Sequence, residues 1–102
     1  QTLDARRVQL GLSKLEYSMY LKIESQWGDD PFLISDIHRL SDEMNKSMFP
    51  GWISQVSAKK SIEQEIRRFI RRYGKQRGKS IEEIDQIYLK LIESVKTYAG
   101  SN

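Results

Sequence analysis

The sequence predicts an all-α fold, a small bundle of about four amphipathic helices with no sheet. Three observations lead there. Every apolar run has the helical spacing of three or four residues, and no alternating apolar-polar run is long enough for a strand. The form Ser-x-x-Glu, a capping box that satisfies backbone donors at a helix start, occurs twice, at Ser13–Glu16 and at Ser80–Glu83. Glycine and proline fall between the periodic segments. At 102 residues and 38% hydrophobic content, one domain with one modest core is expected.

The chain opens on Gln1, and Leu3 to Gln9 reads as a fragment of helix. Residues 1–10 are expected to be the end of an upstream helix in a longer protein, with 11–102 forming the bundle. After Leu12, placed to act as a hydrophobic staple, Ser13 caps a helix carrying Leu15, Met19, Ile23 and Trp27, with Tyr20 alongside, until Gly28-Asp29-Asp30-Pro31 interrupts it. A second helix begins near Pro31 or Ser35 and runs to Ser47, with Leu33, Ile37, Leu40 and Met44 on one side; Phe49-Pro50-Gly51 ends it. Trp52 and Val56 lead into a longer helix with an inner stripe of Ile62, Ile66, Phe69, Ile70 and Tyr73, and Gly74 is placed as its left-handed C-terminal residue. The last helix starts at Ser80 and carries Ile81, Ile84, Tyr88, Leu91, Val95 and Tyr98, ending near Gly100. No internal repeat or low-complexity tract stands out.

Cysteine is absent, which excludes disulfides and thiolate zinc sites and agrees with a reducing, cytoplasmic location. The single histidine argues against a conventional metal site. No apolar run approaches the roughly 18 to 20 residues that cross a bilayer, so no membrane role is expected.

The net charge of +3 hides an uneven distribution. Residues 1–58 carry 6 basic and 8 acidic groups, 59–79 carry 9 and 2, and 80–102 carry 2 and 4. A field concentrated in one short segment steers anionic partners. With about 100° per residue, Arg67, Arg68, Arg71, Arg72 and Lys75 fall opposite Ile66, Phe69, Ile70 and Tyr73, and Arg77 and Lys79 continue the charge around the following turn. Glu63 and Glu65 are placed to pair with Arg67 and Arg68, which leaves most of the cations unmatched. Two readings stand side by side: a solvated helix face, or a surface for nucleic-acid backbone or an acidic protein. Phe69 and Tyr73 belong to the apolar side, so nothing here reads bases.

Gly74-Lys75-Gln76-Arg77-Gly78-Lys79-Ser80 superficially suggests a nucleotide-binding loop. It has three residues between its glycines where that loop has four, and a helix precedes it rather than a strand. A helix-to-helix joint is the better reading. Asp29 and Asp30 are turn residues, while Glu82, Glu83 and Asp85 suit the positive end of a helix dipole. His38 and Asp42 are one turn apart without a nucleophile in evident relation, which reads as a surface pair. The methionines 19, 44 and 48 are core fillers. Trp52 is either a plug at the end of the bundle or an exposed docking anchor.

Leu10-Gly11-Leu12-Ser13 followed by Glu16-Tyr17 and Tyr20, then Trp52, then a basic helix closing on Arg72-Tyr73-Gly74, resembles the C-terminal helical domain of the motor-endonuclease (R) subunit of type I restriction enzymes. The resemblance covers nearly the whole chain. It departs after Gly74, where many members have a Tyr-Pro-Pro-like turn, and at Gly51, where the family has an acidic residue. The resemblance implies a parent polypeptide with a nuclease domain and helicase-type motors that translocate DNA using ATP and Mg²⁺, and a terminal helical part that docks on the methyltransferase (M) subunit. None of the nuclease or ATPase motifs lies in these residues, so no catalytic residue and no cofactor are expected here. The expected contacts are Arg67, Arg68, Arg71, Arg72, Lys75, Arg77 and Lys79, with Trp52 as a further candidate, meeting the M subunit or the DNA backbone.

Overall fold

A computed structural model describes residues 3–100. It contains α1 (Leu3–Leu10), α2 (Lys14–Trp27), α3 (Leu33–Asn45), a single 3-10 turn (Trp52–Ser54), α4 (Val56–Gln76) and α5 (Ile81–Gly100), with no strand among the described residues. The fold is all-α. The helices α2, α3, α4 and α5 form a ring in which each packs on the next and α5 returns to α2. Short connections make successive members antiparallel. Accordingly Ser18, early in α2, donates to Ser94 Oγ, late in α5, at 2.9 Å.

Each helix contributes one apolar stripe. Leu15, Met19 and Ile23 come from α2, Leu33, Ile37, Leu40 and Met44 from α3, and Ile62, Ile66, Phe69, Ile70 and Tyr73 from α4, all buried in one cluster. In α5 the stripe is rotated from the one read in the sequence. Ile87 lies at its centre at 1% exposure and Ile81 is 73% exposed. Six residues at about 100° each leave Ile81 about 120° from Ile87, outside the buried arc. Tyr98 is also partly exposed, and Ile84, Leu91, Ile92 and Val95 complete the inner face.

Two of the joints use one device. At the end of α1, Gly11 has φ +71°, its N–H bonds Val8 O at 3.0 Å, and the Leu12 N–H bonds Arg7 O at 3.2 Å. At the end of α4, Gly78 has φ +72°, its N–H bonds Lys75 O at 3.1 Å, and the Lys79 N–H bonds Gly74 O at 3.0 Å. Both are Schellman closures, which need a left-handed residue just past the helix. Two residues later a serine starts the next helix: Ser13 Oγ accepts from Glu16 N at 3.2 Å and Ser80 Oγ from Glu83 N at 3.1 Å. The glutamates reciprocate, accepting from Ser13 N at 2.7 Å and Ser80 N at 2.9 Å. The pattern Gly-x-Ser-x-x-Glu therefore occurs twice and codes the same turn twice.

Gly74 is not the left-handed residue; α4 continues through it to Gln76. Its role is close approach. A Cβ there would lie 2.6 Å from Ile84 Cγ1 and 3.1 Å from the Trp27 ring, so its bare backbone lets α5 and the end of α2 close on α4.

Candidate functional site

The basic surface is built on α4. The buried stripe of that helix turns its opposite side outward, and the cations there divide into two groups according to what they meet. Arg67 lies at the border with α5, where it pairs with Asp85 and rests its guanidinium 3.6 Å from the Tyr88 ring centroid. The spacing had placed Glu63 as its partner. The antiparallel packing of α5 instead brings a carboxylate from the neighbouring helix. Arg68 pairs with Glu65 along α4, as its spacing predicts.

Arg77 is drawn back into the fold. It pairs with Asp30 in the turn between α2 and α3, donates from Nη1 to Tyr73 O at 3.0 Å, and stacks 3.5 Å from the Tyr73 ring centroid. Lys79 is half-buried, with Nζ 5.6 Å from the Trp27 ring centroid. Trp27 and Tyr73 are themselves stacked, at 6.1 Å and 7°. These contacts join the α2–α3 turn to the C-terminal end of α4. Arg67, Arg68 and Arg77, three of the expected contact residues, therefore already have carboxylate partners inside the domain.

Arg71, Arg72 and Lys75 are different. All are exposed, and among the described residues none of them makes an ion pair. Between Arg67 and Lys79, they are the exposed cations without a carboxylate partner among the described residues. Trp52 is 8% exposed and belongs to the core cluster, so it plugs the bundle rather than standing out as an anchor.

Asp30 does more than its turn position indicated. Its Oδ1 accepts from the Phe32 N–H at 2.8 Å and its Oδ2 from Tyr73 OH at 3.1 Å, besides the Arg77 pair. The Phe32 N–H, with Arg77 and Tyr73, holds this carboxyl below the usual carboxylate range, while burial pushes the Tyr73 hydroxyl up. His38 meets Glu16 of α2, Nδ1 to Oε2 at 2.7 Å, rather than Asp42. Glu16 is buried and serves both this contact and the capping box, a double role its place in the box did not announce.

Beside the basic face, α3 and α4 bound a cleft of about 940 Å³. Leu40 and Phe69 lie among its lining, Phe32 is at its edge, Asp42 is on the α3 wall, and Arg72 and Gln76 are on the α4 wall. Among the described residues, no group of three or more histidine, cysteine, aspartate or glutamate side chains is placed to hold a metal ion, and no helix is long and apolar enough to cross a membrane.

The fold and this face define a small helical bundle with a cationic outer helix. Comparison with protein-family models, with curated proteins and with solved structures finds no match.

Proposed function

We propose that this chain is a docking domain, the C-terminal helical part of a type I restriction enzyme motor-endonuclease subunit, and that it holds that subunit against the methyltransferase core. The restriction assignment is supported by the order and spacing of Leu10-Gly11-Leu12-Ser13, Trp52 and Arg72-Tyr73-Gly74. The docking role is supported by one observation above all: Arg71, Arg72 and Lys75 project from α4 without ion-pair partners among the described residues. Unpaired surface cations set electrostatic complementarity and encounter rate. On this reading the domain is cytoplasmic and non-catalytic, and the ATP and Mg²⁺ chemistry belongs to the parent's other domains.

The test is capture of a purified methyltransferase-specificity complex by the immobilised domain. Capture is expected, and reversing Arg71, Arg72 and Lys75 to glutamate is expected to weaken it at least about tenfold, or about 1.4 kcal/mol. Undiminished capture would remove this face from the account, and no capture by the unaltered domain would remove the restriction assignment.

The same free cations favour a second reading, nonspecific contact with the DNA backbone. With three phosphates engaged, the logarithm of affinity would fall against the logarithm of salt concentration with a slope of about −3. Electrophoretic shifts at several salt concentrations measure that slope. No shift at low salt eliminates this reading.

A further inference from the structure

The cleft between α3 and α4 carries its own specification. Leu40 and Phe69, each only 4% exposed, close its floor, and Phe32 stands at its edge 68% exposed, an aromatic that the core leaves outside. Along its walls, charges are mostly matched on their own helices, Asp36 with Arg39 and Glu65 with Arg68. One charge on each wall has no hydrogen bond or ion pair among the described residues: Asp42 on α3 and Arg72 on α4. They have opposite signs and do not pair with each other. Gln76, one turn beyond Arg72, adds an exposed amide to the positive wall.

We propose that this cleft receives an amphipathic helix of a partner protein with segregated charge. Its apolar stripe covers Phe32 above the floor that Leu40 and Phe69 close, its carboxylate edge faces Arg72 and Gln76, and its cationic edge faces Asp42. Helix-in-groove recognition places anchors at successive turns in this way, and an arginine engages a carboxylate bidentately. A nucleic-acid duplex fits less well. The helices α3 and α5 pack on either side of α4, and they carry exposed Asp42 and Glu43 on one flank and Glu82 and Glu83 on the other. A broad phosphate surface would meet both acidic flanks, whereas a single helix presents carboxylate to the middle alone. This inference rests on the docking reading above and names the partner element.

The probe is a labelled synthetic peptide of about five helical turns, with leucine every third or fourth residue, glutamates along one edge and lysines along the other. Its control has the same composition with glutamate and lysine mixed on both edges. Fluorescence anisotropy on the whole domain should give at least about tenfold tighter binding for the segregated peptide. Phe32→Ala, Arg72→Glu and Asp42→Arg should each weaken it severalfold. The double variant Arg72→Glu with Asp42→Arg should recover binding, because a helix laid in the opposite direction exchanges its edges. Unchanged circular dichroism separates these losses from unfolding, since all of these side chains are exposed.

Equal affinity for the two peptides, or an unaffected Arg72→Glu variant, would overturn the proposal. So would displacement of the peptide by a DNA duplex at equal potency, or occlusion of the cleft by a second copy in sedimentation. Peptide failure with methyltransferase capture intact sinks the cleft alone. Peptide binding without methyltransferase capture supports the cleft and removes the restriction assignment.

Discussion

Arg77 and Asp30 form an ion pair that joins the end of α4 to the turn between α2 and α3, with Tyr73 stacked beneath the guanidinium and donating to the same carboxylate. Hydrogen bonds to charged groups contribute about 1.5–3 kcal/mol when partly buried. Asp30→Ala leaves Arg77 and the Tyr73 hydroxyl without that partner, and is expected to destabilise the domain by about 2 kcal/mol, read from urea denaturation. Because Arg77 is engaged internally, Arg77→Ala should cost stability and leave partner binding by the intact fraction little changed.

The same pair sets a response to acid. Asp30, held by the Phe32 N–H and by Arg77, and Glu24, held first by its hydrogen bond from Arg6 at 2.7 Å, both lie below their ordinary values of 3.8 and 4.5. A carboxyl depressed in the folded state contributes stability that is complete above its unfolded value and is lost as pH falls through its folded value. Stability from these groups should therefore hold from neutral pH down to about 5 and decline below about 4. Asp30→Asn should reduce that decline, as denaturation midpoints at neutral and acidic pH would reveal.

Gly74→Ala should destabilise the domain although alanine is the better helix former. The propensity gain is about 1 kcal/mol, and overpacking a tight contact costs about 1–3 kcal/mol. With Ile84 Cγ1 2.6 Å from the added carbon, the second effect prevails. A lowered melting temperature is expected; a raised one would mean that α5 shifts freely.

Ser13→Ala and Ser80→Ala each remove one half of a capping box. Each should lose about 1 kcal/mol, and the losses should be close to additive because the two boxes start different helices. Thermal melts of the single and double variants check this.

Arg71→Glu and Lys75→Glu should change stability by no more than about 0.5 kcal/mol, since neither residue has an ion-pair partner among the described residues. Their effect should appear in binding. A large loss of stability in either would show that these cations already work for the fold.

Much of the bundle was legible from spacing alone. The stripe Leu33, Ile37, Leu40 and Met44 is the one α3 buries, and the capping box at Ser13 starts α2 as read. Such signals are local: periodicity and caps depend on residues within a turn or two of one another. The end of α4 was misplaced at Gly74 because the same residue type serves both as a left-handed terminus and as a gap for a neighbouring helix. The recurrence of Gly-x-Ser-x-x-Glu at 11–16 and 78–83 was the signal that would have chosen Gly78.

The basic segment divides along the same line. That its cations lie opposite an apolar stripe follows from the helical period, and the sequence by itself determined this outward face. Which of them remain free was decided only by tertiary structure, since Asp85 and Asp30 reach Arg67 and Arg77 from 18 and 47 residues away in the chain. Carboxylates brought by α5 and by the α2–α3 turn compensate Arg67 and Arg77 and leave Arg71, Arg72 and Lys75 without an ion pair among the described residues, because ion pairing depends on distance in space and the helical period records only distance along one rod.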